Sequence, residues 1–241
     1  MSVDQPVPPR ARRAGPPFRP SMRGSFILLA LLAIVAIYAT DQIVPATSDR
    51  EAKSRLSLAV SAGGNVALVL LAVQVSLGLI LSHPTNTSTW KLSKLIFPWH
   101  ANLWVFVMAS VVVHVGAIVL DPFARVSIIG AVIPGLSSYR SVAVALGTLA
   151  IYAFLITALT AEYARRLPPR VWLTIHRLSL IVFVLAWLHV FLVSGQYEEP
   201  VWLYAGTALA VLLSGLYRVW ASRLGRPSFT TLRVEASHTG T

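Results

Sequence analysis

Six windows, roughly residues 25–45, 57–82, 97–120, 140–163, 171–194 and 200–221, contain few or no charged side chains. At ~1.5 Å per residue, a helix of about twenty residues crosses the ~30 Å hydrocarbon core of a bilayer. Backbone groups in lipid must satisfy one another, so windows of this kind are expected to span as helices. Composition agrees, with 56% apolar residues, 12% charged residues and a mean hydropathy of +0.69. The fold class expected is an all-α, polytopic membrane protein whose six transmembrane helices form one bundle over residues 25–222.

The first window resembles a secretory signal, with a basic flank and an apolar run from Phe26 to Ala39. No convincing small–x–small cleavage pattern surrounds Ala39–Asp41, and the Arg12-Arg13 pair lacks the hydrophobic residues of a twin-arginine signal. It reads as an uncleaved first helix. Residues 1–24, rich in proline and arginine, and residues 223–241 read as disordered or short cytoplasmic tails.

Positive charge sets the orientation. Arg10, Arg12, Arg13, Arg19 and Arg23, then Lys91 and Lys94, then Arg165, Arg166 and Arg170, and finally Arg218, Arg223, Arg226 and Arg233 all fall on one side. The other side holds Arg50, Lys53, Arg55, Arg125 and Arg140, and its last loop carries Glu198 and Glu199. The positive-inside rule therefore puts both termini in the cytoplasm and the protein in the plasma or inner membrane. The same placement explains the net charge of +11 as contact with membrane lipid, without nucleic acid as a partner.

Ionisable residues inside apolar windows are costly, and two windows each carry two histidines: His100 and His114 fourteen residues apart, His176 and His189 thirteen apart. Both windows start on the cytoplasmic side, so their helices run parallel. His100 and His176 then lie at an inner level, and His114 and His189 about 20 Å further out by the ~1.5 Å rise. Two imidazoles per level suit the two axial positions of a b-type haem, and two stacked haems divide the membrane into short electron-transfer steps. Zinc or copper would need ligands converging on one point. The chain has no cysteine, which removes iron–sulfur clusters, thiolate ligation and thiol catalysis. On an ideal helix a spacing of thirteen falls ~140° short of four turns, so a bend, a change of winding or a different approach to the haem must absorb the difference.

The strings Trp99–His114, Arg170–His189 and Ser137–Ala150 resemble the ferric reductase-like transmembrane domain over roughly residues 57–220. That superfamily contains ferric reductases, NADPH oxidases and the haem-binding subunit of a bacterial methionine sulfoxide reductase system. The resemblance implies two haem b groups, the inner held by His100 with His176 and the outer by His114 with His189. Ferric reductases and NADPH oxidases continue into a flavin and nicotinamide domain. Here about twenty residues follow Trp220 and no Gly-rich phosphate loop occurs. The implied role is that of an oxidoreductase component. Its cytoplasmic electron donor would be a separate flavoprotein or reductase that brings any flavin, and its acceptor would lie on the outer face.

Propionate partners are sought at the membrane surfaces, where Arg140 and Tyr139 are expected for the outer haem and Arg177, Lys94 or Trp90 for the inner. Phe106 and Phe183 fall between the levels, Gln74 offers an interhelical hydrogen bond, and Gly63-Gly64, Gly116 and Gly147 offer close approach. His83 and His238 have no partner at matching depth. Asp121, Glu198 and Glu199 could attract a ferric chelate or cationic partner. The competing readings are a transporter with a histidine proton relay and a pure membrane anchor subunit. Neither broken helices nor inverted repeats favour the transporter.

Overall fold

The computed structural model describes residues 47–81, 90–121, 124–193 and 201–224, with isolated positions between 24 and 35. Most of the first expected span, nearly all of both tails, and His83, Glu198, Glu199 and His238 lie outside the described residues. The described residues form helices and no strands. Five helical spans are long and apolar enough to cross a membrane: Asp49–Leu81, Ser93–Leu120, Ser141–Glu162, Pro169–Val193 and Val201–Ser222.

Helix α1 (Asp49–Leu81) begins eight residues before the expected window. The reason is a capping arrangement that hydropathy does not register. The Ser48 hydroxyl accepts from the Glu51 amide at 3.3 Å, and the Glu51 carboxylate accepts from the Thr47 amide at 2.9 Å. One orphan amide of the first turn is thereby satisfied, and the residue before the cap is tied back to the helix. Asp49 and Glu51 also stand where the helix dipole favours negative charge.

The second span is broken into α2 (Trp90–Asn102) and α3 (Trp104–Leu120). The fourth is broken into α6 (Pro169–His176) and α7 (Ser179–Val193). Both breaks fall just past the first histidine of the span, and they correct the expectation of unbroken helices that counted against a transporter. At the first, the Phe106 amide reaches the Leu103 carbonyl; at the second, the Leu178 and Leu180 amides reach the Ile175 and Arg177 carbonyls. These are three-residue bonds, and each residue wound that tightly advances ~20° further than in an α-helix. A local change of winding thus recovers part of the deficit left by the thirteen-residue spacing.

Between these spans lie a short helix α4 (Ile128–Val132) and α5 (Ser141–Glu162), and α8 (Val201–Leu224) completes the described chain. Tyr152 and Thr148 of α5 donate to the Val132 and Ala131 carbonyls at 2.5 and 2.9 Å and so hold α4 against the bundle. Helix α1 packs on α2, α3, α7 and α8, whereas α7 packs chiefly on α5. The core lies at mid-height, where Leu68, Leu71, Ala72 and Val75 of α1 meet Val107, Phe154, Val182, Phe183, Tyr204 and Val211. Val182, 1% exposed, is its most enclosed large side chain. Large apolar side chains such as Leu58, Val142, Leu159 and Leu212 point outward, as a lipid-facing surface requires.

Candidate functional site: two facing histidine pairs

The broken spans bring the four histidines together in two pairs. The rings of His100 and His176 have centres 6.0 Å apart with planes at 86°, and those of His114 and His189 have centres 6.3 Å apart with planes at 85°. The side chains of each pair come from different spans, and the apolar core containing Val107, Val182 and Phe183 separates the two levels.

Three rings are fixed by the neighbouring helix. Nδ1 of His100 lies 3.0 Å from the Gln74 carbonyl, Nδ1 of His114 lies 2.7 Å from the Val60 carbonyl, and Nδ1 of His189 lies 2.7 Å from the Ala143 carbonyl. A carbonyl oxygen only accepts, so Nδ1 carries the proton in each and donates it. In a neutral imidazole this leaves Nε2 with its bare lone pair, the state that binds a metal. The fourth ring is held differently. His176 stacks on Trp172 at 5.4 Å and 22°, and its buried Nδ1 has no hydrogen-bond partner among the described residues.

Glycines stand against the same three rings. A Cβ on Gly64 would come within 2.9 Å of His114 Nδ1, one on Gly78 within 2.9 Å of His100 Cε1, and one on Gly147 within 2.8 Å of His189 Nδ1. A Cβ on Gly63 would come within 3.0 Å of the backbone nitrogen of His114, whereas among the described residues nothing lies within 4 Å of one on Gly116. Gly78, Trp172 and the three accepting carbonyls were not foreseen from sequence. One signal was available. Gly64 and Gly78 are fourteen residues apart, the spacing of His100 and His114 on the antiparallel neighbour.

A cavity of about 460 Å³ opens between α1, α3, α5 and α7. Its lining includes His114 and His189, with Lys53, Ser57, Asp121 and Tyr139 toward the outer end, and does not include His100 or His176. Tyr139 borders the cavity. The Arg140 guanidinium lies over the Tyr139 ring, 5.9 Å from its centre, and donates to the Leu192 carbonyl and, at 3.4 Å, to that of Val193. Lys53, on α1, is a cation at the cavity, in the part of the helix that precedes the apolar window. Arg177 and Lys94 are exposed. Gln74 contributes its backbone carbonyl, while its side-chain oxygen is buried without a partner. Phe183 belongs to the core between the levels, and Phe106 is only half-buried.

These features define a multi-pass helical membrane protein with paired histidines at two depths. A family model described as ferric reductase like transmembrane component matches residues 63–187, and the chain belongs to that family. The match takes in His100, His114 and His176 and ends two residues before His189. The family's description points to electron transfer across the membrane. No curated protein and no solved structure matches the chain.

Proposed function

We propose that this protein conducts electrons across the cell membrane through two b haems, from a cytoplasmic flavoprotein or reductase to an acceptor on the outer face. The acceptor is a ferric or other metal species, or a reductase partner outside the membrane. Haem supplies a one-electron iron couple when bound.

The observation that carries it is the separation of the rings. A metal–imidazole bond of about 2.0–2.1 Å plus roughly 1 Å from nitrogen to ring centre puts two rings on opposite sides of one metal ~6 Å apart. Both pairs have that spacing. Among the described residues no three histidine, cysteine, aspartate or glutamate side chains converge. Two nitrogens are too few for a tetrahedral site built from protein alone, but they fill the axial positions of a porphyrin, which brings its own four. The Nδ1 bonds favour ligation over a proton relay, because a backbone carbonyl cannot pass a proton onward. The positive charge on the tails and alternate loops supports cytoplasmic termini.

The test is the visible spectrum of the purified membrane protein before and after dithionite. The expected result is a Soret band whose reduced form shows the α and β bands of six-coordinate b haem. A protein that stays colourless after haem supplementation overturns the reading.

A further inference from the structure

We infer that Gly64, Gly78 and Gly147 are positioning residues, each exposing the backbone carbonyl four residues earlier so that a ligand histidine can be locked on it. The inference rests on the haem reading above but concerns how the protein holds its own side chains.

The three sites share one construction. His114 sits on the Val60 carbonyl and Gly64, His100 on the Gln74 carbonyl and Gly78, and His189 on the Ala143 carbonyl and Gly147. In a helix the Cβ of a residue leans toward the N-terminus, so a side chain covers the turn before its own Cα. Residue i+4 therefore shields the carbonyl of residue i, whose second lone pair is the acceptor needed here. Glycine removes the shield, and the imidazole occupies the space. The arrangement is not a general property of the glycines, since among the described residues nothing lies within 4 Å of a Cβ added at Gly116, Gly206 or Gly215. Two sites lie on α1 and one on α5, so two different helices have arrived at the same device.

An alanine at these positions puts a methyl group within 2.9 Å of ring atoms at Gly64 and Gly78 and within 2.8 Å at Gly147. A ring free to turn would swing aside. A ring bonded to iron cannot, so the clash is transmitted to the metal.

The experiment compares G64A, G78A, G147A and the control G116A by haem per chain, redox titration and low-temperature EPR of the ferric protein. G78A should lose or shift one low-spin signal, with haem per chain falling from two toward one, and G64A and G147A should both act on the other signal. G116A should match the wild type. If all three variants match G116A, the inference falls while the haem reading stands; a wild type without haem removes both. Should an alanine variant fail to fold, ring-nitrogen NMR of the reduced, diamagnetic wild type decides. Three slowly exchanging Nδ1 protons and one fast one are expected, and four equivalent protons overturn the proposal.

Discussion

Arg140, at the start of α5, donates its guanidinium to the carbonyl of Leu192 in the last turn of α7. The last carbonyls of a helix have no partner within it, and a cation there also meets the negative end of the helix dipole. Arg140 itself adopts a left-handed conformation, φ 36°, which directs the chain into α5. The pair fastens the outer ends of α5 and α7, the two helices that hold His189 against Ala143. Replacing Arg140 with alanine should cost about 1 kcal/mol, as expected for a partly exposed hydrogen bond from a charged group. The cost should appear as a lower unfolding temperature in detergent. The outer haem signal should broaden and the inner one stay unchanged.

Ligand removal should act by level. Alanine at His100 and His176 together should remove about half the haem, alanine at His114 and His189 the other half, and the quadruple variant all of it. Haem per chain, from the pyridine haemochrome and protein assay, is the measurement. Full haem in the quadruple variant would mean that other residues are the ligands.

Much of this arrangement was legible because burying a histidine in lipid is expensive, so four at near-matching spacings restrict the helices that carry them. Hydropathy located the five described spans to within a few residues at most ends. It missed the start of α1, where charged Asp49, Arg50 and Glu51 belong to the helix because capping outweighs their polarity. The break at Leu103 was equally hidden, since an apolar window reads the same at either winding, whereas for the break at Arg177–Leu178 the thirteen-residue spacing had left a change of winding as one of three alternatives. The supporting shell was the least visible. Two of its acceptors are the carbonyls of Val60 and Ala143, and a backbone oxygen carries no sequence signature; the third belongs to Gln74, whose side chain had drawn attention for a different bond.

Trp172 gives His176 what the carbonyls give the other three. Its ring stacks on the imidazole, a contact worth about 0.5–1.5 kcal/mol for aromatic pairs. Phenylalanine at position 172 should preserve most of the stack and leave the inner haem six-coordinate. Alanine should release the ring, giving a high-spin fraction and carbon monoxide binding to the reduced protein at one haem. The control is His100, whose Nδ1 bond to Gln74 should keep it bound in both variants.

Phe183 tests the layer between the levels. It is buried against the α1 residues and Val182, so truncation to alanine leaves a hole that neighbouring helices cannot fully close. Losses of about 3–5 kcal/mol are typical for such changes in soluble cores. Lipid is as apolar as the interior, so the loss here comes from packing contacts and not from exposure to water. Phe183→Leu should cost less than half as much. Thermal unfolding in detergent distinguishes the two, and equal stability of F183A and wild type would show that this layer contributes little.

Haem itself should be a structural element. Helix α3 leans on α1 and α7 on α5, while across the cavity α3 and α7 present histidines to one another and are not closely packed along their backbones. A group bonded to both rings would tie α3 directly to α7, which otherwise meet chiefly through α1. A ligand held at a thousand times its dissociation constant adds ~4 kcal/mol to the folded state. Protein made under haem limitation should therefore unfold at a lower temperature than the loaded form and be cleaved sooner by protease in the loops flanking α3 and α7. Adding haem should restore both properties in the wild type but not in the quadruple histidine variant. Equal protease resistance with and without haem would show that the α1–α3 and α5–α7 contacts suffice to hold the histidines in place.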